Sequence, residues 1–164
     1  MKKYLFILVA MFAMSTAAFA QKGVSAVGIQ GAFDDLNSQF GIGAKYQYGF
    51  LDQLRGEIGG DFFFKKNYTS LVDINGNVHF VFPIASSFNV YPLAGLNIGF
   101  ASLDDDVAKT LGVKSSETRL GVNVGGGFDI KVTDGIKIIL EAKYIISDNG
   151  WSRFGANAGV AFMF

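Results

Sequence analysis

Apolar and polar positions alternate with period two along most of the chain beyond residue 20. From Gln39 to Phe50, one row holds Phe40, Ile42, Ala44, Tyr46, Tyr48 and Phe50. The other holds Gly41, Gly43, Lys45, Gln47 and Gly49. Side chains of an extended segment point to opposite faces in turn, so this pattern predicts a strand with one greasy and one small or polar face. Seven further segments have the same format: about Gly23–Gly31, Leu54–Phe64, Leu71–Phe82, Phe88–Phe100, Thr118–Val132, Ile136–Ile146 and Phe154–Phe164. Two positions break the rule. Phe63 puts an aromatic ring on the polar row, and Pro92 sits on the apolar row of the fifth segment, where its missing N–H predicts a bulge or local break.

The predicted connections alternate in length. Leu51–Gln53, Pro83–Ser87 and Thr133–Gly135 are short; Ala32–Ser38, Lys65–Ser70, Ala101–Glu117 and Ser147–Ser152 are generally longer. Eight strands with short turns at one end and longer loops at the other describe an up-and-down barrel, and volume decides which face is inside. An eight-stranded barrel encloses room only for its own side chains or one small ligand. The apolar row is too bulky for that space, whereas Gly, Ala, Asn and charged residues fit it. The apolar row therefore turns outward. Its aromatics gather at both ends: Tyr46, Tyr48, Phe50, Phe80, Phe82, Phe88, Phe128, Phe162 and Phe164 near the short turns, and Phe40, Phe62, Phe64, Phe100, Tyr144 and Phe154 near the long loops. Two aromatic girdles around an aliphatic belt suit a bilayer. The expected fold is all-β, an eight-stranded antiparallel up-and-down transmembrane β-barrel, closed because lipid leaves no backbone amide solvated.

Composition fits this expectation. Half of the residues are apolar, and the chain holds 21 Gly and 17 Phe, yet beyond residue 20 no apolar run approaches the ~20 residues of a membrane helix. The first 20 residues read as a cleaved signal peptide: Met1-Lys2-Lys3, an apolar run from Tyr4 to Met14, and Ala18-Phe19-Ala20 before the cut. Residues 21–164 form the predicted barrel domain. Loss of Lys2 and Lys3 leaves 12 basic against 14 acidic residues, a balance that offers nothing to nucleic acid. There is no Cys, so disulfides and thiolate metal sites are excluded.

The inward row carries the candidate chemistry: Lys45, Arg55, Glu57, Asp61, Asp73, His79, Arg119, Asp129, Lys137, Glu141, Lys143 and Arg153. Opposite charges confined in a narrow lumen are expected to pair, because a buried charge without a partner costs several kcal/mol. The expectation is a plug of salt bridges and no open pore, which would need about sixteen strands; a gated or narrow conduction path is the sharper alternative. His79, the one histidine, points inward near the short-turn end, with Ser86 and Ser87 only in the following turn. Asp104-Asp105-Asp106 lacks the alternate spacing of a calcium loop and reads as a solvated loop tip. Trp151 is placed either to anchor at headgroup level or to meet a partner. No phosphate loop, metal-ligand spacing or triad pattern is present, so no cofactor is expected.

The last eight residues carry a resemblance. Asn157, Gly159, Phe162 and Phe164 match the polar–Gly–aromatic–terminal aromatic pattern of the C-terminal assembly signal of bacterial outer-membrane barrels. The whole mature chain resembles the small outer-membrane barrel family, OmpX-like and OmpA-transmembrane-domain-like proteins often labelled "porin family". It departs from OmpA proteins in lacking a peptidoglycan-binding domain after Phe164. The resemblance implies an outer-membrane monomer in contact with lipid, handled by the barrel-assembly machinery through its last strand, with an extracellular partner at the long loops. It implies a non-enzymatic role in envelope integrity or surface adhesion. A narrow channel for small or apolar solutes, as in OmpW-like barrels, is the alternative. The His and Ser arrangement of the lipid-modifying barrel enzymes is not matched, and a soluble periplasmic ligand-binding barrel is the remaining reading.

Overall fold

The computed structural model describes residues 22–66, 68–103, 109, 110, 112, 116–148 and 150–164. The predicted signal peptide and Asp104-Asp105-Asp106 lie outside the described residues. Nine strands follow one another: β1 (Ser25–Asp34), β2 (Gln39–Gly49), β3 (Leu54–Lys66), β4 (Thr69–Phe80), β5 (Phe82–Ala85), β6 (Phe88–Leu103), β7 (Ser116–Thr133), β8 (Ile136–Ser147) and β9 (Arg153–Met163). Each pairs antiparallel with its neighbours, and β1 pairs with β9 from Ala26↔Met163 to Asp34↔Gly155. The sheet thus closes on itself, β1 meeting β9 and β4 meeting β6. β4 and β5 are two pieces of one stave, both hydrogen-bonded to β6. The architecture is a closed eight-stave up-and-down barrel.

The break between β4 and β5 corrects the expectation at Pro92. β6 runs without interruption through Pro92, which pairs with Gly126 of β7. The lapse falls on the facing stave at Val81, while the register is the same on both sides of it, His79 opposite Leu93 and Phe82 opposite Val90. Pro92 has no N–H to offer that neighbour. Val81 turns its own N–H to Gln53 O at 2.7 Å, on the β3 side.

All four outer connections are shorter than expected, because the strands that border them run further. β1 continues to Asp34, and β3 and β4 run to Lys66 and from Thr69, so their linking turns are tight. Ser38 and Tyr68 take positive φ there, 49° and 65°, a region costly for residues with a Cβ.

Sidedness follows the alternation. Ile29, Leu96 and Leu120 are 69%, 67% and 72% exposed on the outer surface, whereas His79 and Asn123 are fully buried inside. This inverts a water-soluble barrel. Outward rings meet in pairs toward the ends, among them Tyr48–Phe50, Phe62–Phe64, Phe80–Phe82 and Phe88–Phe128, at centroid distances of 5.0–6.0 Å. Tyr46, Phe100, Tyr144, Phe154 and Phe162 are likewise exposed on the outside.

Apolar side chains also enter the lumen, but only near its ends. At the long-loop end, Phe63 meets Ala32, Leu71 and Ala101, and Trp151 packs against the group. The aromatic out of pattern is thus an internal stopper. Toward the short turns lie Val81, Tyr91 and Leu93, and opposite them Ala26, Ile139 and Ala161 with Met163.

Inward glycines make room for the polar filling between these ends. A Cβ on Gly43 would lie 2.1 Å from Asp61 Oδ1 and 2.5 Å from Gly60 O; one on Gly95 would lie 2.4 Å from Asn77 Oδ1 and 2.1 Å from Gly76 O. Gly43→Ala is therefore expected to displace Asp61 and destabilise the barrel by about 1–3 kcal/mol, the usual range for overpacking. Denaturant unfolding in detergent micelles checks this; an unchanged midpoint would contradict it.

Candidate functional site

The polar filling of the lumen is the densest chemistry in the molecule, and it is organised in three clusters. Toward the short turns, Arg55 of β3 reaches Asp129 of β7, Nη1 to Oδ2 at 2.7 Å. Asn89 Nδ2 donates to the other oxygen of Asp129 at 2.7 Å, and Lys137 Nζ stands 3.8 Å away. Arg55 also donates to His79 Nδ1, from Nε at 3.3 Å and Nη2 at 3.2 Å. The His79 ring stacks on Tyr91, 4.5 Å between centroids and 6° between planes, and the Arg55 guanidinium lies 4.6 Å from the centre of the same phenol ring.

In the middle, the ammonium of Lys45 sits between two carboxylates, Glu57 at 3.0 Å and Glu141 closer still. Gln47 and Asn77 each donate an amide to Glu57, at 2.7 and 3.0 Å. A neutral layer follows. Asn123 Nδ2 donates to Asn75 Oδ1, Asn77 Oδ1 and Leu96 O, and Asn97 donates to Asn75.

Toward the long loops, Gln30 donates to one oxygen of Asp61 at 2.5 Å and Asn75 to the other at 3.4 Å, and Lys143 is buried on β8. Arg153, at the start of β9, crosses the lumen to Asp73 of β4, with Nη2 2.6 and 2.7 Å from its two oxygens. Its Nε stands 2.6 Å from Asp34 Oδ2 as a close ion pair whose N–H does not point along that line. All of these side chains are buried. Charges with so little water around them need this pairing, since removal of one partner leaves the other stranded.

Eleven of the twelve expected lumen groups meet in this filling, and one does not. Arg119 is on the inward row, but β7 begins at Ser116, so its side chain stays at the outer rim. There it pairs with Glu117 and lies 4.7 Å from the Trp151 ring centre. Trp151 itself packs inward on the stopper rather than outward at headgroup level. Sequence reasoning missed Asp34, which falls where a loop was expected, and did not include Gln30, Gln47, Tyr91 and the five asparagines in the network. The asparagines were visible as inward-row positions; their mutual contacts were not.

Glu57, His79 and Glu141 bring three ligand-type atoms within 4.8 Å of one another. The donor set does not suit a metal ion. Lys45 already occupies the space between the two carboxylates. Arg55 donates to His79 Nδ1, which assigns the ring hydrogen to Nε2, the atom a metal would need bare. A metal-bound imidazole normally donates its other N–H to an acceptor, and Arg55 offers none.

The assembly-signal residues lie on β9, at the seam. Gly159 and Phe162 pair with Gln30 and Val27, and Asn157 with Ala32. Phe164 exchanges two backbone hydrogen bonds with Ser25, both 2.9 Å.

A closed eight-stave barrel, apolar outside and ion-paired within, defines the small transmembrane barrel class. Residues 5–164 match the family described as outer membrane protein beta-barrel domain. The chain belongs to that family, which places it in the outer membrane. No curated protein matches it in sequence. Among solved structures it is similar to the N-terminal β-barrel domain of Pseudomonas aeruginosa OprF (15% identity, TM-score 0.67, 87% of this chain and 98% of that one). It is similar to Ail, the attachment invasion locus protein of Yersinia pestis (18%, TM-score 0.60, 87% and 99%). Neisserial surface protein A is a third such barrel (20%, TM-score 0.57, 85% and 94%). At these identities the likeness is one of fold.

Arg153→Ala strands Asp34 and Asp73 together. Loss of about 3–5 kcal/mol of stability is expected, the range for breaking a buried pair. The triple variant with Asp34→Asn and Asp73→Asn should recover part of it. Unfolding in detergent micelles measures both; equal stability of the single and triple variants would show that stranded charge is not the cause.

Proposed function

We propose that this protein is a non-enzymatic, non-conducting barrel of the outer membrane that acts through envelope integrity and through contacts made by its outer rim. The observation that carries this reading is the filled lumen. Going inward from the long loops, the Phe63–Leu71 stopper is followed by the Arg153, Asn and Lys45 clusters, each joined by hydrogen bonds or ion pairs across staves. Each layer is tied to two or more staves, so opening a path costs several buried ion pairs at once.

The outer rim supports the second half of the proposal. It exposes Tyr68, 62% accessible on a strained turn, and it carries the half-buried Arg119–Trp151 pair. Aromatic and arginine side chains at a rim are what binding surfaces favour. Among the similar structures is Ail, the attachment invasion locus protein of Yersinia pestis. In the same reading the outward row contacts lipid as a monomer. β9 presents Asn157, Gly159, Phe162 and Phe164 to the assembly machinery.

In planar bilayers the protein is expected to give no resolvable conductance steps. Steady ion-sized steps would sink the proposal and favour the narrow channel for small or apolar solutes. Overexpression is expected to leave the lipid A mass spectrum unchanged; a new acylated or deacylated species would make the barrel an enzyme.

A further inference from the structure

The lumen is filled, but its short-turn end is not. Below the Arg55–Asp129 cluster lies a cavity of about 250 Å³, open on the side of the short turns, which in this family face the periplasm. It has room for about eight waters at ~30 Å³ each. Its wall is divided. Val24, Ala26 and Met163 make one side apolar; Gln47 stands on the polar side, where three cations, Arg55, Lys131 and Lys137, outnumber the carboxylates of Asp129 and Asp134.

The polar side has donors and acceptors left over. Each oxygen of Asp129 already accepts one hydrogen bond, Oδ2 from Arg55 and Oδ1 from Asn89, each at 2.7 Å. Lys137 is left 3.8 Å from it, beyond hydrogen-bond reach, and has no other ion-pair partner among the described residues. An ammonium with three donors, buried to 5% exposure, thus borders the cavity without a matched acceptor. Gln47 gives its amide N–H to Glu57, but its buried Oε1 accepts nothing. Lys131, exposed at the mouth, adds a second cation. A buried polar group in this condition costs free energy that a suitable ligand relieves.

We propose that this vestibule is a binding site for a small amphipathic carboxylate. The carboxylate is held by Lys137 with help from Lys131, and the hydrocarbon part lies against Val24, Ala26 and Met163. The reading is independent of whether the lumen conducts, because the site is reached from the short-turn side alone. The size of the cavity limits the ligand to a short chain, and the apolar wall distinguishes it from a bare anion site.

The test uses the full barrel in lipid nanodiscs with hexanoate as the probe, followed by amide NMR shifts and calorimetry. Hexanoate is expected to shift the amides of Val24, Ala26 and Lys137 and to leave those of Phe63 and Arg119 unmoved. Lys137→Met should weaken binding about tenfold, Lys137→Arg should retain it, and Lys131→Met should weaken it about threefold. Heat-modifiable gel mobility confirms that each variant is folded, and the Lys131 variant remains informative if the Lys137→Met barrel does not form. Unchanged affinity in a folded Lys137→Met barrel overturns the site. So do shifts confined to the outward Phe80 and Phe162, which would indicate mere partition into the bilayer. Inorganic phosphate binding as tightly as hexanoate overturns the amphipathic assignment.

Discussion

Three ion pairs in the lumen cross the bore between staves that are not neighbours, and the rest of the structure depends on them. Arg55 on β3 holds Asp129 on β7; Lys45 on β2 holds Glu141 on β8; Arg153 on β9 holds Asp73 on β4. In the ring of staves, β4 and β9 are diametrically opposed. These pairs are therefore struts between facing walls. Backbone ladders join each stave only to its neighbours, and a barrel held by ladders alone has no fixed cross-section. The struts supply one. The glycines of the inward row, such as Gly43 and Gly95, leave the space through which the struts pass.

The outer surface obeys a different requirement. Lipid has no use for hydrogen bonds, so the backbone must pair completely and the side chains that face outward must be apolar. One alternating sequence meets both demands, because the pleat sends successive residues to opposite sides. This is why so much of the fold could be read directly from residue order. Strand number, sidedness and the aromatic girdles all follow from parity, and parity survives small errors in strand ends. Membership of the outer-membrane barrel family agrees with that reading.

Depth along the axis is a different matter, and the misreadings concern it. Parity puts Arg119 on the inner row, but where that row leaves the barrel depends on the stagger between staves. That stagger is a property of the closed ring and appears in no single segment. Asp34 was lost for a related reason. The stretch Ala32-Phe33-Asp34 runs straight into Asp35 and the turn, so its end is not marked locally, and it is strand because β2 and β9 pair with it on both sides. Pro92 shows the limit of a purely local rule. The effect of the missing donor was expected within its own strand, yet the interruption is at Val81 on the neighbour. The partners of each lumen charge were likewise hidden, since which aspartate an arginine reaches across the bore is decided by the same stagger.

Arg153 belongs to the last strand of the chain, and its two carboxylates belong to the first stave and the fourth. As long as the ring is unclosed, Asp34 and Asp73 have no cation to offset them, and Arg153 has nothing to neutralise. Docking of the final stave relieves all three together. The seam thus behaves as an electrostatic latch: a half-assembled sheet is penalised until the terminal strand arrives in correct register, which couples completion of the ring to its fidelity.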